Sequence, residues 1–255
     1  LTVSRRPHHS SLGGKTVLVA GASSGIGKAT AMRVAEAGAE VVLVGRRLSE
    51  LQAIETAIAA AGGQAVSVQL DVTDTAALGA AVASLPRLDV LINSAGMNIP
   101  EPIAVVTEQH YDRLFGLNLK AAFFLSQAAA AKIAAHGEGG AMIHITSQMG
   151  HVGAANRTAY CASKHGVEGL VKALAIELAP INIRVNAIAP TFIETAMTAP
   201  MFEDGGFRAE VMSKIPLGRV GVPEDVAEAA AFLASDGAVL ITGTSLKVDG
   251  GWTAQ

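Results

Sequence analysis

The sequence predicts an α/β fold, a doubly wound parallel sheet with helices on both faces. Three observations predict it. Short β-branched runs alternate with longer Ala-rich stretches, the signature of βαβ units. The strand runs are continuously apolar, as strands covered on both faces must be. A glycine-rich turn follows the first strand run and opens the first helix, the arrangement of a nucleotide-binding turn.

TVLVA (16–20) is the first strand, and the helical KATAMRVAEAGA after it stops at Gly38. VVLVG (41–45) is the second strand, and LSELQAIETAIAAAGG (48–63) a helix closed by two glycines. AVSVQLDV (65–72) is the third strand, 74–85 the third helix, and LDVLINSAG (88–96) a strand running into a loop. Residues 107–135 read as one long helix, AMIHITS (141–147) as a strand, and 158–179 as a second long helix ended by Pro180. IRVNAIAP (183–190) is a strand stopped by Pro190. Residues 191–222, punctuated by Pro200, Gly205, Gly206, Pro216 and Gly221, read as irregular. A helix starts near Pro223, where proline suits the first turn, and TSLKVDGG (244–251) holds the last strand. Residues 14–255 are expected to form one domain, with 1–13 a poorly ordered lead-in. Arg5-Arg6 lacks the apolar segment that a twin-arginine signal needs.

Half of the 255 residues are hydrophobic and 16% are charged, which suits a large core rather than disorder. The net charge of −3 and the lack of a Lys/Arg-rich run exclude a nucleic-acid footprint. No run approaches about 18 uninterrupted apolar residues, so no membrane span is expected. The single cysteine, Cys161, forms no internal disulfide and fits a reducing, cytoplasmic compartment.

The turn after the first strand reads Gly21-Ala22-Ser23-Ser24-Gly25-Ile26-Gly27. Glycines let a backbone approach a pyrophosphate, and the helix that follows offers free N–H groups to the anion. The second strand ends in Gly45-Arg46-Arg47. No carboxylate stands there to bind a ribose 2′-hydroxyl, and guanidinium groups suit a 2′-phosphate. NADP is therefore the expected cofactor, with NAD as the alternative. Asp71-Val72 is placed to meet an adenine, unless Asp71 only caps the helix near Asp74.

Chemistry-bearing residues gather at the carboxyl ends of the later strands: Asn93, Ala95 and Gly96 after the fourth, Ser147 after the fifth. Tyr160 follows Ser147 by 13 residues, and Lys164 lies one helical turn further on, on the same face. Asn118 falls inside the long fourth helix. AGASSGIG (20–27), NSAG (93–96), Asn118, Ser147, YCASK (160–164), RVNAIAP (184–190) and VDGG (248–251) together resemble the short-chain dehydrogenase/reductase family. The resemblance spans 14–252 and implies a Rossmann-like fold and an NAD(P)-dependent oxidoreductase.

It further implies that Tyr160 exchanges a proton with a substrate oxygen that Ser147 orients. Lys164 would lower the tyrosine pKa and hold the nicotinamide ribose, and Asn118 would hold a water. Pro190, Thr191, Ile193 and Thr195 would flank the nicotinamide, and no metal is called for. Homotetramers built on the two long helices are common in the family. Ala20, Ser94 and Thr191 depart from its usual Thr, Asn and Gly.

The substrate is expected beneath a lid formed by 191–222. Asn98, Gln148, Met149, His151, Arg157 and Met197 are candidate lining residues. Their polarity, and a VDGGWTAQ end resembling those of sugar and polyol dehydrogenases, point to a sugar, polyol or sugar acid. The runner-up is a 3-oxoacyl-thioester reductase. A nucleotide sensor without chemistry is a third reading, set against the presence of Tyr160, Lys164 and Ser147.

Overall fold

The computed structural model describes residues 11–196 and 198–255. Seven strands form one parallel sheet: β1 (Thr16–Ala20), β2 (Glu40–Gly45), β3 (Gln64–Gln69), β4 (Val90–Asn93), β5 (Gly140–Ile145), β6 (Ile183–Pro190) and β7 (Ser245–Val248). Their order across the sheet is β3-β2-β1-β4-β5-β6-β7. The chain winds outward from β1 to one edge, returns to β4, and winds to the other. The reversal leaves a crevice at the carboxyl ends of β1 and β4, where open sheets of this kind hold ligands.

Helices α1 (Gly25–Glu36), α2 (Leu48–Ala60) and α9 (Pro223–Ala234) share one hydrophobic cluster with Val17, Val19, Leu43, Ile92 and Ile143. On the opposite face α3 (Thr75–Ser84), α5 (Ala121–Ala134) and α6 (Thr158–Leu178) bury Leu78, Leu125, Ile133, Val167 and Val171 against Leu18, Leu91 and Met142. Both sides of β1, β4, β5 and β6 are thereby covered, which is why those strands read as unbroken apolar runs. The edge strands differ from that expectation. In β3 Val66 is exposed, and in β7 so is Leu246, because an outer strand is roofed only in part.

Other boundaries move. Leu12 is fully buried and its N–H bonds to Ala37 O at 2.8 Å, so the ordered chain begins before residue 14. The rest of the expected lead-in, 1–10, lies outside the described residues. The long helix over 107–135 is three pieces in line: α4 (Glu108–Phe115), a π turn (Gly116–Lys120) and α5. This run of 27 residues is long and apolar enough to cross a membrane by length and composition; here α5 buries one side against the sheet.

The segment 191–222 is not irregular throughout. It contains α7 (Ala199–Phe202) and α8 (Gly205–Ser213). Phe202, Val211, Ile215 and Val220 form a small core of their own with Phe192, Phe207 and Trp252 around it. The Gly/Pro punctuation marks the ends of these short helices. Asp204, for instance, caps α8 by accepting from Gly206 N and Phe207 N.

A buried hydrogen-bond chain joins the core to the crevice. His144 on β5 is 1% exposed. Ser126 Oγ donates to Ala122 O at 2.7 Å, so its oxygen accepts from His144 Nε2 at 3.0 Å. That tautomer leaves His144 Nδ1 to accept from Asn93 Nδ2 at 3.4 Å, while Asn93 Oδ1 accepts from Ala95 N at 3.1 Å. Burial pulls the His144 pKa from 6.5 to about 4. The unfolded chain therefore binds the proton first as pH falls. Stability is whole above pH 6.5 and is lost between 6.5 and about 4, by about 3 kcal/mol. Urea unfolding at pH 7 and pH 4 should show that His144→Asn loses less stability over this range than the parent does. An equal loss in both would remove His144 from the account.

Candidate active site

The crevice is closed at its base by glycines. Gly21 has φ +78°, and a Cβ there would lie 2.8 Å from Ala95 N. A Cβ on Gly27 would lie 2.1 Å from Gly21 O. A side chain at Gly21 would force the β1 turn away from the β4 turn, and one at Gly27 would force α1 away from the β1 turn. No side chain caps α1 at Ser24, which leaves the N–H groups of its first turn for an anion. Ile26 turns inward against the core.

At the end of β2, Arg47 reaches across to this turn. Its Nη2 donates to Ser23 Oγ at 3.0 Å and Ser23 O at 3.3 Å. Arg46 is exposed beside Asp71. Asp71 Oδ1 accepts from Thr73 N and Thr73 Oγ1, and those bonds, with Arg46 behind them, hold its carboxyl below the usual carboxylate range. The α3 cap is Asp74, which accepts from Ala77 N; the capping alternative for Asp71 is thus removed. Val72 is buried beside it.

The β4 turn meets the π turn. Asn118 Oδ1 accepts from Met97 N at 2.9 Å, and its Nδ2 donates to Met97 O at 3.0 Å and Ser163 Oγ at 3.1 Å. The wider π turn leaves Asn118 buried and aimed at α6. Gly96 lies against both Asn118 Oδ1 and Lys164 Nζ.

Ser147 follows β5 and starts a 3-10 turn, accepting from Met149 N at 3.1 Å and donating to Gln148 Oε1 at 3.0 Å. Tyr160 is half-buried. Burial pushes its phenol above the ordinary value, against the pull of Ser147 and Arg157. Lys164 is 6% exposed, donates to Ile145 O at 3.0 Å, and sits 5.7 Å from the centre of the Tyr160 ring. Burial brings it down to about 8, with Glu168 opposing. The groups that pull the phenol down are Ser147 and Arg157.

Glu168 was not foreseen. It is 5% exposed, and its Oε1 accepts from Thr146 Oγ1 at 2.5 Å and Ser245 Oγ at 3.0 Å. His151 Nε2 lies 3.2 Å from the same oxygen and 2.9 Å from Ser245 Oγ. His151 is therefore held by Ser245, which in turn donates to this buried carboxylate. A glutamate within a long Ala-rich helix looks like a solvated face. Only its spacing of four residues after Lys164 could have marked it.

Among the other expected lining residues, Gln148 is buried on Ser147, and Met149 is buried. Asn98 Oδ1 is buried without a partner, and Arg157 is buried beside Tyr160. Met197 lies outside the described residues. Pro190 ends β6, Thr191 Oγ1 is buried without a partner, and Ile193 bridges to Gly221. Thr195 lies over Gly25, its Cγ2 3.2 Å from where a Cβ would stand. The open N–H groups of α1, the bare glycine turn, Arg47 and the orphan hydroxyl of Thr191 fit a dinucleotide.

At the amino ends of β4 and β5, Asp89, His136 and Glu138 bring three possible metal donors within 4.8 Å of one another. Arg87 binds both carboxylates, with Nη2 2.7 Å from Asp89 Oδ1 and 2.5 Å from Glu138 Oε2. A guanidinium thus takes the place a cation would take.

A family model described as enoyl-(acyl carrier protein) reductase matches residues 21–253. The 2-dehydro-3-deoxy-D-gluconate 5-dehydrogenase of Dickeya dadantii is 36% identical over 248 residues, 96% of this chain and 97% of that protein. A solved short-chain type dehydrogenase/reductase from Mycobacterium marinum is 35% identical, with a TM-score of 0.89 over 96% of this chain and 98% of that one. The chain belongs to the short-chain dehydrogenase/reductase family. As a member it is an oxidoreductase of alcohol and carbonyl groups that uses a nicotinamide cofactor. The structure of a gluconate 5-dehydrogenase from Burkholderia cenocepacia in complex with NADP and tartrate is 30% identical to this short-chain dehydrogenase/reductase. Its TM-score is 0.93 over 96% of this chain and 98% of that one.

Proposed function

We propose that this short-chain dehydrogenase/reductase interconverts a secondary alcohol and a carbonyl on a sugar, polyol or sugar acid, with NADP(H) preferred to NAD(H). The observation that carries the cofactor preference is Arg47 at Ser23, with Arg46 beside it and no carboxylate ending β2. The gluconate-class relatives support the substrate class, as do the polar groups of Asn98, Gln148 and Arg157 around Ser147 and Tyr160.

The nicotinamide, when bound, supplies or takes the hydride. Gly21, Ser23, Ser24, Gly25, Ile26 and Gly27 would hold its pyrophosphate end, and Asp71 and Val72 the adenine. Asn93, Ala95, Gly96, Pro190, Thr191, Ile193 and Thr195 would surround the rest. Tyr160 exchanges a proton with the substrate oxygen, and Ser147 hydrogen-bonds the same oxygen. Lys164, charged below about pH 8, holds the cofactor ribose and supplies positive charge beside Tyr160. Asn118 fixes the β4 turn against α6 at the foot of Lys164. The segment 191–222, with Thr195 over α1, acts as the lid.

The same reading takes an apolar groove of about 760 Å³ as a subunit contact of a homotetramer. Phe115, Leu119, Phe123 and Phe124 line it across from Gly166 and Leu170. A one-chain mass in solution would contradict that. The thioester-reductase reading keeps some support from the family model's description. Turnover of acetoacetyl thioesters with none of sugars or polyols would establish it.

Arg46→Ala combined with Arg47→Ala should lower kcat/KM for NADP relative to NAD about 10- to 100-fold; an unchanged ratio would refute the cofactor assignment. Tyr160→Phe should lower kcat about 10²- to 10⁴-fold while calorimetry still detects cofactor binding. Undiminished turnover in that variant would show that another group moves the proton.

A further inference from the structure

The charges around Tyr160 do not balance. Arg157 is the N-cap residue just before α6 and is 8% exposed. Its Nη1 donates to the carbonyl of its own neighbour, Asn156 O, at 3.1 Å. Its Nε is buried with no partner. Among the described residues no carboxylate lies within 4 Å of the guanidinium, although Asp and Glu meet arginines at five other places. The acidic side chain on the adjoining loop, Glu101, is already held by His110 Nδ1 at 2.9 Å. A buried charge with free donors is costly and persists where something completes it.

The backbone is shaped to hold the arginine there. Asn156 adopts a left-handed conformation, φ +57°, which few side chains tolerate. Its carbonyl accepts from Glu101 N at 3.0 Å as well as from Arg157. That bond draws the start of α6 against the loop after β4. The same loop carries Asn98, whose Oδ1 is another buried polar atom without a partner. Arg157 and Tyr160 are three residues apart on one helix face, close enough for the arginine to act on the phenol. An unfilled guanidinium edge thus stands three residues before the proton-exchanging hydroxyl, and the loop bonded to its neighbour Asn156 carries an unfilled amide oxygen. The planar fork of an arginine matches a carboxylate through two parallel N–H···O bonds. The first turn of α6 adds further positive potential.

We propose that Arg157 binds a carboxylate on the substrate, with Asn98 accepting from a substrate hydroxyl, so that the enzyme selects sugar acids over neutral sugars and polyols. This deepens, and rests on, the substrate reading given under Proposed function.

The test compares gluconate with sorbitol, its neutral counterpart of equal length, on the NADP-loaded enzyme. Calorimetric titration should show gluconate bound about 10- to 100-fold more tightly. Arg157→Gln should abolish that difference, and Arg157→Lys should restore part of it. In steady-state kinetics the acid-to-neutral ratio of kcat/KM should collapse in Arg157→Gln, chiefly through KM. Equal binding of both ligands by the parent enzyme would overturn the proposal. So would an equal loss for both in Arg157→Gln. The parent comparison decides the matter even if that variant fails to fold. Arg157-dependent binding of gluconate without turnover of any sugar or polyol would uphold the carboxylate site and refute the substrate reading. Turnover of sorbitol on a par with gluconate would do the reverse.

Discussion

The site is organised around an ammonium group taken out of water. Lys164 makes one hydrogen bond, to the carbonyl that ends β5, and burial brings its pKa down to about 8. A lysine that surrendered its proton at neutral pH would leave the crevice without the charge its chemistry needs. Glu168, one turn further along α6, is the opposing group. It is itself buried and accepts from Thr146 and Ser245, at the end of β5 and the start of β7, while His151 from the turn between β5 and α6 bonds Ser245. The carboxylate that supports the lysine thus also fixes α6 against the strands whose ends bear Ser147.

That arrangement puts most of the charged chemistry on one stripe of one helix. Arg157, Tyr160, Lys164 and Glu168 follow at intervals of three, four and four residues, the spacing of a single helical face. The sheet supplies the rest. Because all seven strands run parallel, the turns after β1, β4, β5 and β6 open on one edge, and residues far apart in sequence meet there. The buried chain from Ser126 through His144 to Asn93 and Ala95 keeps the β4 turn in register with that edge. The π turn does the same for Asn118.

Much of this was legible in the sequence because it depends on local rules. Strand runs, glycine turns and a Tyr/Lys pair at helical spacing are short-range signals, and a parallel sheet follows from βαβ alternation. What was hidden depends on distant partners. Glu168 lies 22 residues from Thr146 and 77 from Ser245, and no spacing rule joins them. The bond from His151 to Ser245 spans 94 residues and left no sign in the sequence either. The π turn left no mark in a run that stays helical in pattern. The small core of 191–222 was masked by the glycines and prolines that bound its helices. The opposite shifts of Lys164 and Tyr160 depend on burial, which composition does not reveal.

The central claim is that Lys164 is buried, and stays charged near neutral pH because Glu168 faces it. NMR of protein carrying ¹³C-labelled lysine measures this directly, with Lys164→Met assigning the signal. One lysine should titrate near pH 8, as its burial requires, and at lower pH still in Glu168→Gln. A Lys164 signal that titrates at its ordinary value, or that does not move when Glu168 is neutralised, would contradict the account.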